Sequence, residues 1–422
     1  MPDWVPTSES QNMTNILSAD LIEATRLTKA GKLTEALNLM LGASYAASGA
    51  ASATTGRTPP TIEGVAEPAG TARALPAHQP RPARPGPSRL PFNRAARAGA
   101  ALPGLLNRGG LHMPGGRPRG LSPMAGQVPV PDGGQFLTAS FSNDAGTRPY
   151  KLYVPSGYRP DVAAPLIVML HGCTQSPDDF AAGTRMNEAA EEHTCLVVYP
   201  GQTAAANMQK CWNWFSEGDQ HRGQGEPSLL AGITRQVMRE FAVDPQRVYV
   251  AGLSAGGAAA AIMGEAYPDL VAAIGVHSGL ACGAAHDMPS ALAAMQGSGP
   301  APAGRRGGRR RIVPAIVFHG DRDGTVNPRN ADAVVAQSAQ AAALTTHTEQ
   351  GRAAGGHIYS RTLSIDMTGR TVIEQWVVHG AGHAWFGGSA AGTYTDPRGP
   401  DATREMVRFF LEHPHPGPMQ AV

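Results

Sequence analysis

Beyond residue 130 the apolar positions fall into short runs separated by stretches of helix length. Leu166-Ile167-Val168-Met169-Leu170 is apolar at every position, the pattern of a strand covered on both faces. Similar or alternating runs predict further strands at 135–141, 148–154, 195–199, 248–251, 272–277, 315–318 and 371–378. Between them helices are expected at 178–192, 228–241, 257–267, 329–345 and 401–411, the second stopped by Val243-Asp244-Pro245. This alternation predicts an α/β domain over residues 126–415, a mostly parallel sheet flanked by helices. Within it, 296–311 is rich in Gly, Pro and Arg and reads as a disordered surface loop.

Ahead of that domain, Leu17, Leu21 and Ala24, then Leu33, Leu37 and Met40 after Gly31, predict a helical hairpin in residues 1–42. Packing or oligomerisation is its plain role. Residues 43–125 are mainly Ala, Pro, Gly and Arg without a sustained period, which predicts a disordered linker. Composition agrees, since 51 glycines and 36 prolines make about a fifth of 422 residues and charged residues are only 16%. The net charge of +2 hides an asymmetry: 43–125 holds ten Arg and no Lys or Asp, so a basic tract joins an acidic remainder. Lacking interleaved aromatics or a recognisable module, the tract reads as solvated linker and not as a nucleic-acid surface. Contact with a polymer granule through residues 1–125 is the partner role left open.

No run of about twenty apolar residues exists to span a bilayer, which excludes a membrane-spanning chain. The N-terminus shows no basic stretch leading into an apolar core, so an ordinary secretory signal is not expected and the chain is expected to stay inside. Cys173, Cys195, Cys211 and Cys282 form neither a disulfide framework nor a C-x-x-C pair that would suggest zinc, and no metal or organic cofactor is expected.

The candidate chemistry centres on Gly252-Leu253-Ser254-Ala255-Gly256. In a chain this rich in glycine the string G-x-S-x-G is weak by itself. Its context is stronger: it follows the strand-like Val248-Tyr249-Val250 and leads into a small-residue helix start, the strand, sharp turn and helix that a nucleophile elbow needs. A serine nucleophile requires a base and an orienting acid, and in this class the acid and then the base follow in the chain. His319-Gly320-Asp321-Arg322-Asp323 closes a strand and supplies two carboxylates. Asp323 lies further into the loop and is the expected acid, with Asp321 binding backbone in the turn. Gly380-Ala381-Gly382-His383 follows the last strand and makes His383 the expected base, while His379 ends the strand as a packed or hydrogen-bonded residue. The oxyanion donors are expected at the Ala255 amide and at Cys173, in the loop His171-Gly172-Cys173-Thr174-Gln175 after an earlier strand.

LIVMLHGCTQ, CWNWF, VYVAGLSAGGAAA, VHSGL, HGDRDGTVNP and GAGHAWFGG occur in this order. With these six motifs the chain from about 130 to 412 resembles the type 1 catalytic domain of short-chain polyhydroxybutyrate depolymerases and their feruloyl and acetylxylan esterase relatives. The resemblance implies an α/β-hydrolase fold, the triad Ser254, Asp323 and His383, and the amides of Cys173 and Ala255 as oxyanion donors. It further implies that Trp212, Trp214 and Trp385 wall the acyl unit. Whether Cys211 reaches Cys173 to form a disulfide is left open.

The implied activity is cofactor-free hydrolysis of short-chain hydroxyalkanoate esters, polymer or oligomer, with aryl or acetyl esters of plant polysaccharide as the alternative. An interaction protein recruited through residues 1–125 is the rival of another class. Secreted members carry a signal peptide and a polymer-binding domain after the catalytic one. Their pattern is not matched here, which speaks against attack on crystalline extracellular polymer. On compartment, the resemblance implies an extracellular enzyme and the missing signal a cytoplasmic one, and the resemblance is given slightly the greater weight.

Overall fold

Seven consecutive buried residues, Ala164–Leu170, form a strand near the middle of a ten-stranded sheet. Successive side chains of a strand face opposite ways, and the packing follows that alternation. Leu166, Val168 and Leu170 enter one apolar cluster, while Ile167 and Met169 enter another across the sheet. Two covered faces are what make the run apolar throughout.

The computed structural model describes residues 128–298, 312–339 and 343–416. In chain order the strands of the large sheet are β1 Gln135–Asn143, β2 Gly146–Val154, β3 Ala164–Leu170, β4 Leu196–Pro200, β5 Val243–Leu253, β6 Ala273–His277, β7 Ala315–Gly320, β8 Thr345–Arg352, β9 Ile358–Ile365 and β10 Thr371–Val378. Their spatial order is β1-β2-β4-β3-β5-β6-β7-β10-β9-β8. The strands from β4 to β10 in that order pair in parallel, and antiparallel pairs close both edges. The helices are α1 Pro177–Thr184, α2 Met186–His193, α3 Gly225–Glu240, α4 Ala255–Ala266, α5 Met288–Met295, α6 Arg329–Ala339 and α7 Ala402–Glu412. Residues of α3, α4, α5 and α6 share the first cluster, those of α1, α2 and α7 the second. This layering is the expected α/β-hydrolase arrangement. Among the described residues no helix is long and apolar enough to cross a membrane.

The structure departs from the sequence reading at particular points. The helix expected at 178–192 is two helices, because Arg185 turns left-handed at φ 56° and stops α1. Gly183 packs there so closely that an added Cβ would lie 3.1 Å from Thr395 and 3.3 Å from Gly392, contacts that arise only in the fold. Of the helix expected at 329–345 the described part runs over Arg329–Ala339, and Thr345 already opens β8. β8 is exposed along almost its whole length, so no buried face imposed a hydrophobic period on Thr345–Arg352. Asp244-Pro245, read as a helix stop, lies inside β5, where β5 shifts register against β3. The predicted hairpin 1–42 and linker 43–125 lie outside the described residues, as does the loop 296–311 beyond Ser298.

Candidate active site

β5 delivers Ser254 at its C-terminal end, where open parallel sheets place their sites. Ser254 sits at φ 58°, ψ −120°, a region costly for a residue with a side chain and diagnostic of a strained turn. Neighbouring glycines make the turn possible. A Cβ on Gly252 would lie 2.3 Å from the Gly256 backbone, and one on Gly256 would lie 2.0 Å from the Leu170 carbonyl oxygen. β3, β5 and the start of α4 therefore meet backbone to backbone. The Ser254 N–H donates to the His277 carbonyl at the end of β6.

The loop after β3 stands beside this elbow, since a Cβ on Gly172 would come within 3.6 Å of the Ser254 Cβ. Its amides can be accounted for one by one. Gly172 N–H donates to Gln175 Oε1 at 2.8 Å, Thr174 N–H to the Gln209 carbonyl at 2.6 Å and Gln175 N–H back to the Gly172 carbonyl at 3.3 Å. Among the described residues no acceptor takes the Cys173 amide. Ala255 opens α4, where the first N–H groups have no partner within the helix. The Cys173 amide in the loop and the Ala255 amide at the start of α4 thus flank the Ser254 elbow.

Cys173 is bonded to Cys211, with Cα atoms 4.2 Å apart, so the sequence's open question is answered by a disulfide that ties the loop to the segment before Trp212. Gln175, 2% exposed, braces the same loop; its amide group also donates to Asp179 Oδ2 at 2.8 Å and to the Thr393 carbonyl at 3.1 Å. His171 lies beneath, donating through Nδ1 to the Gly172 carbonyl and accepting the Gln202 N–H at Nε2. Burial pulls its pKa down to about 4, in keeping with a neutral ring that has one donor and one acceptor nitrogen.

Asp323 and His383 lie on loops after β7 and β10. Asp323 Oδ2 is 2.7 Å from His383 Nδ1, and both side chains are buried. Oδ1 accepts the amides of Thr325 at 2.8 Å and Val326 at 2.9 Å. Burial pushes the Asp323 carboxyl up, but the His383 and His319 imidazoles outweigh it and hold it well below the usual carboxylate range. An ionised carboxylate can only accept, so His383 Nδ1 is the donor of this hydrogen bond. Asp321 does bind backbone: Oδ1 accepts the Gly380 N–H at 2.7 Å and Oδ2 faces His379 Nδ1 at 2.9 Å. The two loops are further stitched by Arg322 N–H to the Ala381 carbonyl at 3.0 Å.

The three tryptophans named from the sequence are all buried. Trp212 is 0% and Trp385 1% exposed. Trp212 donates to the His171 carbonyl at 3.1 Å, and Trp385 donates to Thr403 Oγ1 at 2.9 Å while stacking on His277. Trp214 is also buried, edge-on to Phe215, beside Glu226 and Leu230. Trp212 and Trp385 thus pack inside the fold, where a large ring supports the backbone of a nearby motif, while Trp214 borders a small cavity with Glu226, Leu230 and Ile262.

Residues the sequence reading passed over carry that support. Glu226, 5% exposed, accepts from Asn213 N–H at 2.7 Å and pairs with Arg148 at 3.3 Å, fixing the segment that holds Cys211. Tyr394, left-handed at φ 52°, places its hydroxyl 3.4 Å from Thr174 Oγ1, next to Cys173. A single sequence offers no periodic signal for such loop-borne braces. Among the described residues no group of His, Cys, Asp and Glu is arranged to hold a metal ion.

Comparison with known proteins adds an independent line. The family described as Esterase PHB depolymerase matches residues 148–358, half of the chain, a span that includes Ser254 and Asp323 and stops before His383. A poly(3-hydroxyalkanoate) depolymerase C of Paucimonas lemoignei is 32% identical over 268 residues, covering 61% of this chain and 62% of the relative. A feruloyl esterase B of Neurospora crassa is 32% identical over 148 residues, covering 35% and 49% respectively. The chain thus spans less than two thirds of the length of these relatives. The solved acetyl xylan esterase from Aspergillus awamori aligns with a TM-score of 0.51 at 18% identity, covering 66% of this chain and 99% of that one, which shows a shared fold.

Proposed function

The chain belongs to the PHB depolymerase esterase family, and from that premise we propose that it is a serine ester hydrolase using Ser254, His383 and Asp323 on short-chain hydroxyalkanoate esters. The observation that carries this reading is the buried Asp323–His383 pair at 2.7 Å, on the same strand-end face as a serine held at φ 58°. His383 Nε2 takes the proton as Ser254 Oγ attacks the ester carbonyl, and the amides of Cys173 and Ala255 receive the oxyanion. Collapse of the tetrahedral adduct breaks the ester C–O bond, and the proton on His383 passes to the leaving alkoxide. Water, deprotonated by the same imidazole, then releases the acid and restores the serine. Asp323 remains ionised throughout and offsets the imidazolium charge.

The relative from Paucimonas lemoignei supports a hydroxyalkanoate substrate. The Neurospora crassa relative supports aryl esters of polysaccharide as a second reading. The Cys173–Cys211 disulfide favours an oxidising compartment for the working enzyme. Contact between residues 1–125 and a polymer granule belongs to the same reading. If their arginines mediate it, cosedimentation of the full chain with amorphous granules weakens as salt rises; salt-independent pelleting would count against that contact.

The deciding assay offers amorphous polyhydroxybutyrate, hydroxybutyrate oligomers and methyl ferulate side by side, with Ser254→Ala as the blank. Release of hydroxybutyrate from the first or second supports the proposal. Turnover of ferulate alone moves the enzyme to the polysaccharide-esterase reading, and full turnover by the blank removes the site assignment.

A further inference from the structure

His319 is the penultimate residue of β7, four residues before Asp323, and its side chain is 1% exposed. Its Nε2 points to the Val326 carbonyl at 2.8 Å and lies 3.3 Å from Asp323 Oδ2. A carbonyl and an ionised carboxylate can only accept, so Nε2 carries the proton. Nδ1 is buried and has no hydrogen-bond partner among the described residues, an arrangement proteins rarely tolerate without a reason. The oxygen His319 flanks is the one that orients His383, while the peptide unit it holds belongs to the turn whose amides cradle the other carboxylate oxygen. The ring therefore touches both halves of the acid's setting: the turn that fixes the carboxylate and the charge that the carboxylate offers to the base.

We propose that His319 is a positioning residue for the catalytic acid, locking the 323–326 turn through Val326 and placing its N–H edge against the Asp323 oxygen that orients His383. This rests on the triad reading above. The ionisable groups acting on this corner are Asp323 on its own turn, His383 from the loop after β10 and His277 from β6. Removing the N–H edge leaves more of the Asp323 charge to His383, which makes the imidazole harder to deprotonate.

His319→Asn retains a small polar side chain but presents its donor at the Nδ1 position, whereas His319→Gln carries one out to about the Nε2 position. The assay is steady-state hydrolysis of a soluble hydroxybutyrate ester across pH by the full chain. For His319→Asn the expected result is a kcat lowered by about a hundredfold with KM unchanged, as for other small misplacements of catalytic groups. The acid limb of its kcat/KM profile should move to higher pH, and His319→Gln should recover both properties. A purely structural histidine would lower Tm without moving the acid limb.

Wild-type kcat in His319→Asn, or a loss of kcat with an unmoved acid limb, overturns the proposal. Failure of the Asn variant to fold leaves the decision to His319→Gln, whose profile must match the wild type. Ser254→Ala separates the two levels of the argument. An active Ser254→Ala enzyme refutes the triad and this proposal together, whereas an inactive one beside an unaffected His319→Asn enzyme refutes only the positioning role.

Discussion

Two aspartate–histidine pairs join the loops after β7 and β10, and they differ in what surrounds them. Asp323 and His383 are 2.7 Å apart with side chains 0% and 8% exposed; Asp321 and His379 are 2.9 Å apart with side chains 38% and 39% exposed. The outer pair even has a serine, since Ser360 Oγ lies 2.8 Å from His379 Nε2. Serine, histidine and aspartate in hydrogen-bond sequence are therefore not enough to define a catalytic site. Ser360 lies inside β9 without the positive φ of Ser254, and the nearby Gly380 amide is already engaged by Asp321. Among the described residues the inner set combines a serine at positive φ, two neighbouring loop and helix-start amides and a buried aspartate–histidine pair.

The sharpest break of this comparison is substitution of matching members. Asp323→Asn should lower kcat on the order of 10⁴-fold, because an amide no longer favours the productive imidazole tautomer. Ser254→Ala should lower it by at least as much, while Ser360→Ala and Asp321→Asn should each stay within about tenfold of the wild type. Burst and steady-state kinetics on a soluble ester check all four; a Ser360→Ala enzyme as inactive as Ser254→Ala would reverse the assignment.

The oxyanion loop is the next difference to remove. Reduction of Cys173–Cys211, or Cys211→Ser, should loosen the loop bearing the Cys173 amide and lower kcat by up to about 10²-fold, the smaller effect of losing one oxyanion donor. Unfolding by denaturant should show an accompanying loss of about 2–4 kcal/mol from the opened loop. Unchanged turnover after reduction would mean that Gln175 and the Thr174–Gln209 and Trp212–His171 hydrogen bonds hold the loop without the disulfide. A smaller effect is expected at the elbow's packing contact: Gly256→Ala should cost about 1–3 kcal/mol of stability, read as a lowered Tm, because its Cβ meets the Leu170 carbonyl.

The smallest effect is acid sensitivity. Both Asp321 and Asp323 are held below the ordinary carboxylate pKa, so each adds stability above about pH 4 that is lost as pH falls through its folded value. Asp396 follows the same sign: burial raises it, yet Arg398 and His357 hold it at about 2, so its contribution fades between about pH 4 and 2. The exposed Asp321 share should shrink in salt, whereas that of buried Asp323 should not. Acid-unfolding curves of Asp321→Asn and Asp323→Asn at low and high salt check this; equal salt responses would mean that the two pairs are equally solvated.

Much of this was legible beforehand because it rests on local patterns. A run such as Leu166–Leu170 reports two covered faces, and the glycines around Ser254 report a turn without room for side chains. The distinction between Asp321 and Asp323 was also readable from loop position. The roles of Trp212 and Trp385 were not, since a tryptophan beside a catalytic motif has the same sequence signature on a substrate wall and beneath it. Nor was β8, whose exposed polar residues carry no core face to betray a strand.

By itself, then, the sequence determined the α/β order and the strand, turn and helix around Ser254, and it singled out Asp323 and His383 as candidate partners, because steric need and chain order leave local marks. Only tertiary structure decided the Cys173–Cys211 bond, the core placement of the tryptophans and the presence of His319 beside Asp323. Those depend on distances between segments far apart in the chain, and above all on which groups the fold removes from water, a property no single stretch of sequence possesses.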